Sequence, residues 1–180
     1  MQQEEGQLAY NVLLFDLDGT LYPQDNGFLE YSKQNVFKFM REKLPIPEDQ
    51  DVAELWHTWF AQYNQTLRSL REGGGFEIDE DEYWPFMRSG MDKFLRPNPE
   101  LRELLLSLPQ PKWVFTNCRE KEASEALELL GIRDLFQGVM GSDLMGTTCK
   151  PSEEAFERVL AHIGLPPGEG EESGGRRSRS

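Results

Sequence analysis

The chain has 180 residues, 38% of them hydrophobic and 28% charged, and carries a formal net charge of −13. That length suits one core, or a modest core with a small second domain, and so acidic a chain repels a phosphate backbone, which excludes a nucleic-acid polymer as partner. Two cysteines, Cys118 and Cys149, make no disulfide framework. Residues 1–10 are polar and acidic, unlike a secretory signal or transit peptide, and no apolar run approaches the roughly 20 residues of a membrane span. The expected setting is the cytoplasm or nucleus, with no membrane partner.

The first element is a run of four apolar residues, Val12, Leu13, Leu14 and Phe15, short enough for a buried strand. Asp16 and Asp18 follow with Leu17 between them, so extended backbone places both carboxylates on one face, and Gly19 lets the chain turn behind them. At the carboxyl end of a strand in an open α/β sheet, such side chains stand in the crevice where ligands bind. Adjacent carboxylates repel unless a divalent cation lies between them or one of them holds a proton. Both states serve phosphoryl transfer through an aspartyl-phosphate, in which one Asp attacks phosphorus and another protonates the leaving oxygen. The plainer alternative is an Asx-turn whose acids bond only nearby backbone amides.

Residues 23–27 are a turn-rich link. Leu29, Val36, Met40 and Leu44 then fall at helical spacing, with Phe28 and Phe39 broadening the stripe, and Pro45 and Pro47 end it. Steps of three and four from Val52 through Trp56, Trp59, Phe60, Tyr63, Leu67 and Leu70 predict a single long amphipathic helix, stopped by three glycines at 73–75. A weaker segment at 79–91 carries Tyr83, Trp84, Phe86 and Met87, with Pro85 limiting or kinking it. Trp56, His57 and Trp59 sit within a regular stripe and are expected to pack rather than touch a ligand. The acids at 77–82 read as a solvated face and helix start.

Asn98 and Pro99 open the next helix as N-cap and first-turn proline, with Leu101, Leu104, Leu105 and Leu108 as its buried side. Trp113, Val114 and Phe115 make a second buried strand ending on Thr116 and Asn117, a hydroxyl and an amide able to bind a phosphoryl oxygen without adding charge. Ala123, Ala126, Leu127 and Leu130 mark a helix that Gly131 caps, and 138–141 is a short third strand. Lys150 precedes Pro151, the capping candidate Ser152 and a last stripe of Ala155, Phe156, Val159, Leu160 and Ile163. A Lys just before a helix brings its charge and the helix dipole to one anion.

The run F-D-L-D-G-T-L-Y at 15–22, V-F-T-N at 114–117 and the Lys150-Pro151 pair, in that order, resemble three motifs of the haloacid dehalogenase-like (HAD) superfamily, within it most the pyrimidine 5′-nucleotidase-like branch. The resemblance implies an α/β fold, a three-layer Rossmann-like core at 8–22 and 98–167 with a small all-helical cap at 23–97 inserted after the first strand. It implies Asp16 as nucleophile and Asp18 as general acid/base, both facing magnesium, with Thr116, Asn117 and Lys150 holding the phosphate. It implies a magnesium-dependent phosphomonoesterase acting on nucleoside 5′-monophosphates or similar small phosphorylated metabolites. An Asp at position 18 is the mark of phosphatase chemistry, because halide leaving groups need no proton. The family's fourth motif, a strand ending in paired acids, has no counterpart here. Residues 168–180 are Gly, Glu, Ser and Arg throughout, a composition expected to stay disordered. On this reading the core is incomplete at its carboxyl end, β-pairing on one side of the first strand is missing, and the alternative is a catalytically impaired or regulatory isoform.

Overall fold

The computed structural model describes residues 10–165. Within them β1 (Leu13–Phe15), β2 (Lys112–Phe115) and β3 (Gly138–Met140) form a parallel sheet in the order β1-β2-β3. Phe15 lies beside Val114, and Phe115 beside Met140, so all three strands end on one edge. Among the described residues β1 pairs only with β2. The reading of 168–180 concerns residues outside those described.

The faces of the sheet are covered differently. Phe15, Val114 and Val139 point into the main core with α5 (Pro99–Ser107) and α6 (Glu120–Leu129), while Leu14, Trp113, Phe115 and Met140 meet α7 (Ser142–Met145) and α8 (Glu153–His162). Alternate residues of a strand project to opposite faces, so a short apolar run feeds both layers. The result is a helix-rich, layered α/β fold.

Between β1 and α5 the described structure is helical: α1 (Phe28–Lys43), α2 (Val52–Tyr63), α3 (Thr66–Arg68), which runs into a π-turn at Ser69–Gly73, and α4 (Glu80–Arg88). The long helix expected at 52–70 is broken. Asn64 adopts φ 52° and ends α2, and the Gln65 side chain accepts a 2.5 Å hydrogen bond from the Arg68 amide to start α3. Periodicity missed the break because both pieces keep their apolar residues inward, and Asn is one of the few side chains that enters the left-handed region readily. The buried face of α1 also holds two polar residues, Ser32 and Asn35. Their side chains bond the carbonyls of Met87 and Ser89 at the end of α4.

Other features follow the sequence closely. Asn98 accepts from the Leu101 amide at 3.1 Å ahead of Pro99, and Gly131 turns the chain out of α6 at φ 70°, with Ile132 donating back to the Leu127 carbonyl. Three expectations fail. Leu104 on α5 is 59% exposed and Phe156 on α8 is 42% exposed, because each helix has only one covered face and the apolar stripe is wider than it. Ser152 makes no capping hydrogen bond.

Leu17 has no exposed surface and belongs to the main core, while Asp16 and Asp18 on either side reach solvent. Core packing thus orients both acids through the residue between them. Leu17→Ala is expected to cost about 2–5 kcal/mol, read as a lower urea midpoint at unchanged slope.

Candidate active site

The sheet's carboxyl edge gathers the residues that the sequence singled out. Leaving β1, the chain makes a tight turn in which the Thr20 and Leu21 amides both bond the Leu17 carbonyl, and Gly19 takes φ 77°. A side chain at Gly19 would be strained in that conformation and would run into Gln24. The turn lifts Asp16 and Asp18 out of the core.

Each acid is answered by its own cation. The Lys150 ammonium lies 2.6 Å from Asp16 Oδ1 and also donates to the Phe115 carbonyl at 2.7 Å. Arg88, from the end of α4, donates through Nη1 to Asp18 Oδ1 at 2.7 Å, and the Tyr22 hydroxyl donates to the same oxygen. Among the described residues the Oδ2 atoms of both carboxylates accept no hydrogen bond. Burial and the Asp18 charge push the Tyr22 phenol well above its ordinary range, so it stays a donor.

Asn117 and Lys150 are locked together. The Lys150 amide donates to Asn117 Oδ1 at 2.8 Å, and Asn117 Nδ2 donates to the Lys150 carbonyl at 3.2 Å. The side chain of Asn117 therefore holds the backbone carrying the ammonium. Thr116 is buried beside β3, its amide bonded to the Met140 carbonyl at 3.0 Å. Its Oγ1 accepts from the Cys118 amide at 3.1 Å, which leaves the hydroxyl proton unassigned. The structure thus brings together Asp16, Asp18, Thr116, Asn117 and Lys150.

Sequence reasoning missed Arg88. It is 3% exposed, and its guanidinium carbon lies 4.8 Å from the Phe28 ring centre. Burial works against its charge, yet the neighbouring Asp18 helps raise its pKa above the ordinary arginine value. Its Nε and Nη2 have no partner among the described residues, an unusual cost for a buried charged group. The only signal in the sequence was a basic residue at the last turn of a predicted helix, which is ordinary C-terminal chemistry.

A cavity of about 300 Å³ opens beside Asp18, walled by α1, α2, Thr66, Met87 and Arg88. Among the described residues there is no group of three His, Cys, Asp or Glu side chains able to hold a metal. The two carboxylates after β1 are hard oxygen donors of the kind magnesium accepts alongside water and phosphate oxygens.

Residues 10–170 match the sequence pattern of haloacid dehalogenase-like hydrolases. The chain belongs to the haloacid dehalogenase-like hydrolase family. Of curated relatives, this HAD-family chain is 27% identical to Phosphate metabolism protein 8 of Saccharomyces cerevisiae, over 87% of the chain and 53% of that protein. It is also 27% identical to a Phosphoglycolate phosphatase of Neisseria meningitidis, over 75% of the chain and 50% of that protein. The chain spans about half the length of the curated relatives it matches. In fold it is similar to a structure described as a predicted phosphoglycolate phosphatase from Haemophilus somnus, with TM-score 0.54 and 24% identity over 89% of this chain and 74% of that one. It is also similar to a haloacid dehalogenase-like hydrolase from Streptococcus pneumoniae, with TM-score 0.51 and 20% identity over 88% and 72%. These likenesses establish the HAD fold. No helix among the described residues is long and apolar enough to cross a membrane.

One residue next to the site is chemically silent. Burial pushes the Cys118 thiol up to about 12, which removes it as a nucleophile despite its place after Asn117. Under native conditions a maleimide should label Cys149, which is partly exposed, and reach Cys118 only after denaturant is added; mass-spectrometric mapping of the labelled thiol checks this.

Proposed function

We propose that this chain is a phosphomonoesterase acting through an aspartyl-phosphate on small phosphorylated metabolites, nucleoside 5′-monophosphates among them. The observation that carries the proposal is the pairing at the end of β1, where each carboxylate is tied through Oδ1 to its own cation and open through Oδ2. Asp16 Oδ2 attacks phosphorus, and the bond to the leaving oxygen breaks as Asp18 gives that oxygen a proton. Asp18 then takes a proton from the water that attacks the aspartyl-phosphate, releasing phosphate and regenerating Asp16.

Lys150 supports both steps. Its ammonium offsets the repulsion between Asp16 and a phosphate dianion, and the Thr116 hydroxyl proton is directed to a phosphoryl oxygen. Asn117 works as a positioning residue, since its oxygen and one of its N–H groups already hold the Lys150 main chain. Magnesium would be held by the Asp16 carboxylate and by Asp18, and when bound it neutralises charge on the phosphoryl oxygens. Residues 23–97 act as the cap that closes over the edge of the core at 8–22 and 98–167.

Asp16→Asn is expected to lower turnover by roughly 10⁴-fold or more at nearly unchanged melting temperature, because amide and carboxylate are close in shape. Asp18→Asn is expected to lose about 10²–10⁴-fold on alkyl phosphates and distinctly less on aryl phosphates, whose leaving oxygens need the proton less. Steady-state kinetics on both ester types checks this, and equal losses would remove Asp18 from the acid role. Chelation by EDTA should abolish turnover, and added magnesium should restore it.

A further inference from the structure

Among the described residues the Arg88 side chain makes one hydrogen bond, and its partner is Asp18. Nη1 donates to Asp18 Oδ1 at 2.7 Å, while Nε and Nη2 are buried and unpaired. A basic residue in the last turn of a helix ordinarily sends its charge to the last carbonyls or to water. Arg88 sends it inward, at a desolvation cost that one hydrogen bond does not offset. A methionine would fill the same space without that cost. Position 88 thus holds a residue that stability alone does not favour, and such residues belong to sites.

Its neighbours hold the guanidinium in place. Ser32 Oγ donates to the Met87 carbonyl at 2.9 Å, and Asn35 Nδ2 donates to the Met87 and Ser89 carbonyls at 3.2 Å. These two polar residues on the buried face of α1 grip the main chain on both sides of Arg88. The Phe28 ring centre lies 4.8 Å from the guanidinium carbon and 6.0 Å from the centre of the Tyr22 ring. One aromatic side chain therefore packs against both donors to Asp18 Oδ1. In the first turn of α4, Asp81 meets Arg119, the residue before α6, at 2.6 Å. The helix that carries Arg88 is thereby tied to the core at both ends.

We propose that Arg88 and Tyr22 are positioning residues for Asp18, and that Ser32 and Asn35 set Arg88 in turn. The proposal rests on the phosphatase reading above and adds to it the device that orients Asp18. The Asp18 side chain is 30% exposed, and it stands in a turn whose backbone alone selects no single rotamer. Two donors on Oδ1 fix the rotation of the carboxylate and leave Oδ2 to face the ester. Orientation of this kind matters to rate, since a misplacement of about 1 Å can cost roughly 10²-fold.

Steady-state kinetics on ethyl phosphate and 4-nitrophenyl phosphate, with melting curves alongside, tests the assignment. Arg88→Met is expected to lower kcat about 10–10²-fold on the alkyl ester and distinctly less on the aryl ester, with KM little changed and the melting temperature equal to or above that of the wild type. Arg88→Lys, which can still donate one hydrogen bond, is expected to recover part of the loss. Tyr22→Phe and Asn35→Ala are expected to give smaller losses with the same dependence on leaving group. Equal losses on the two esters, or unchanged kinetics with a melting temperature lowered by several degrees, would confine Arg88 to stability and overturn the proposal. The parent reading is judged on the wild-type chain: hydrolysis of neither ester removes the phosphatase. Crystal structures of the wild type and of Arg88→Met then decide the positioning without turnover. Asp18 swung from its wild-type rotamer, with Asp16 and Lys150 in place, supports it, and an unmoved Asp18 overturns it.

Discussion

Two carboxylates placed side by side at the end of a strand must each find a positive charge, and this requirement organises much of the molecule. Asp16 finds Lys150, which is 134 positions further along the chain, and Asp18 finds Arg88, 70 positions away in the helical segment. Interactions of this kind are weak at an exposed surface. Here Arg88 is buried, so removing its partner would leave a charge with no solvent to receive it. The pair therefore couples the position of α4 to the turn after β1. Around it, Leu17 anchors the acids to the apolar core, and Asn117 fixes the backbone from which Lys150 reaches back.

The helical segment at 23–97 does not sit apart from the sheet. One continuous buried cluster runs from Phe28, Phe39 and Tyr83 to Val114, Leu127 and Val139, and Arg119 at the start of α6 bonds both Asp81 of α4 and Glu122. Burial opposes the charge of Glu122, but Arg119 holds its carboxyl below the ordinary range. The helices that wall the cavity beside Asp18 are thus held to the core by apolar packing and by ion pairs together. The wall of that cavity is thus built from packed helices rather than from loops alone.

Net charge gives a misleading picture of what the site attracts. A chain at −13 repels anions at long range. Over a few ångströms the field is set by Lys150 and Arg88 together with the carboxylates they pair, because screening and desolvation make near charges count far more than distant ones. A small phosphorylated ligand and an acidic protein are therefore compatible, whereas a polymer lying across the whole surface would meet the global charge.

The sequence by itself determined the strand, the acids after it and the α/β class. These are local statements: an apolar run followed by D-x-D-G-T has few other uses, and caps such as Asn98 and Gly131 act within one turn of themselves. Family membership was legible for the same reason. The tertiary structure alone decided that Asn117 spends its amide on Lys150, that Asn64 breaks a stripe which reads as one helix, and that Leu104 and Phe156 face outward. It alone brought Arg88 to Asp18 and left Trp56 without a partner beside the same cavity. Periodicity reports which side of a helix is apolar. What a polar side chain finds on the far side of a core depends on contacts between residues dozens of positions apart, and spacing along the chain carries no trace of them.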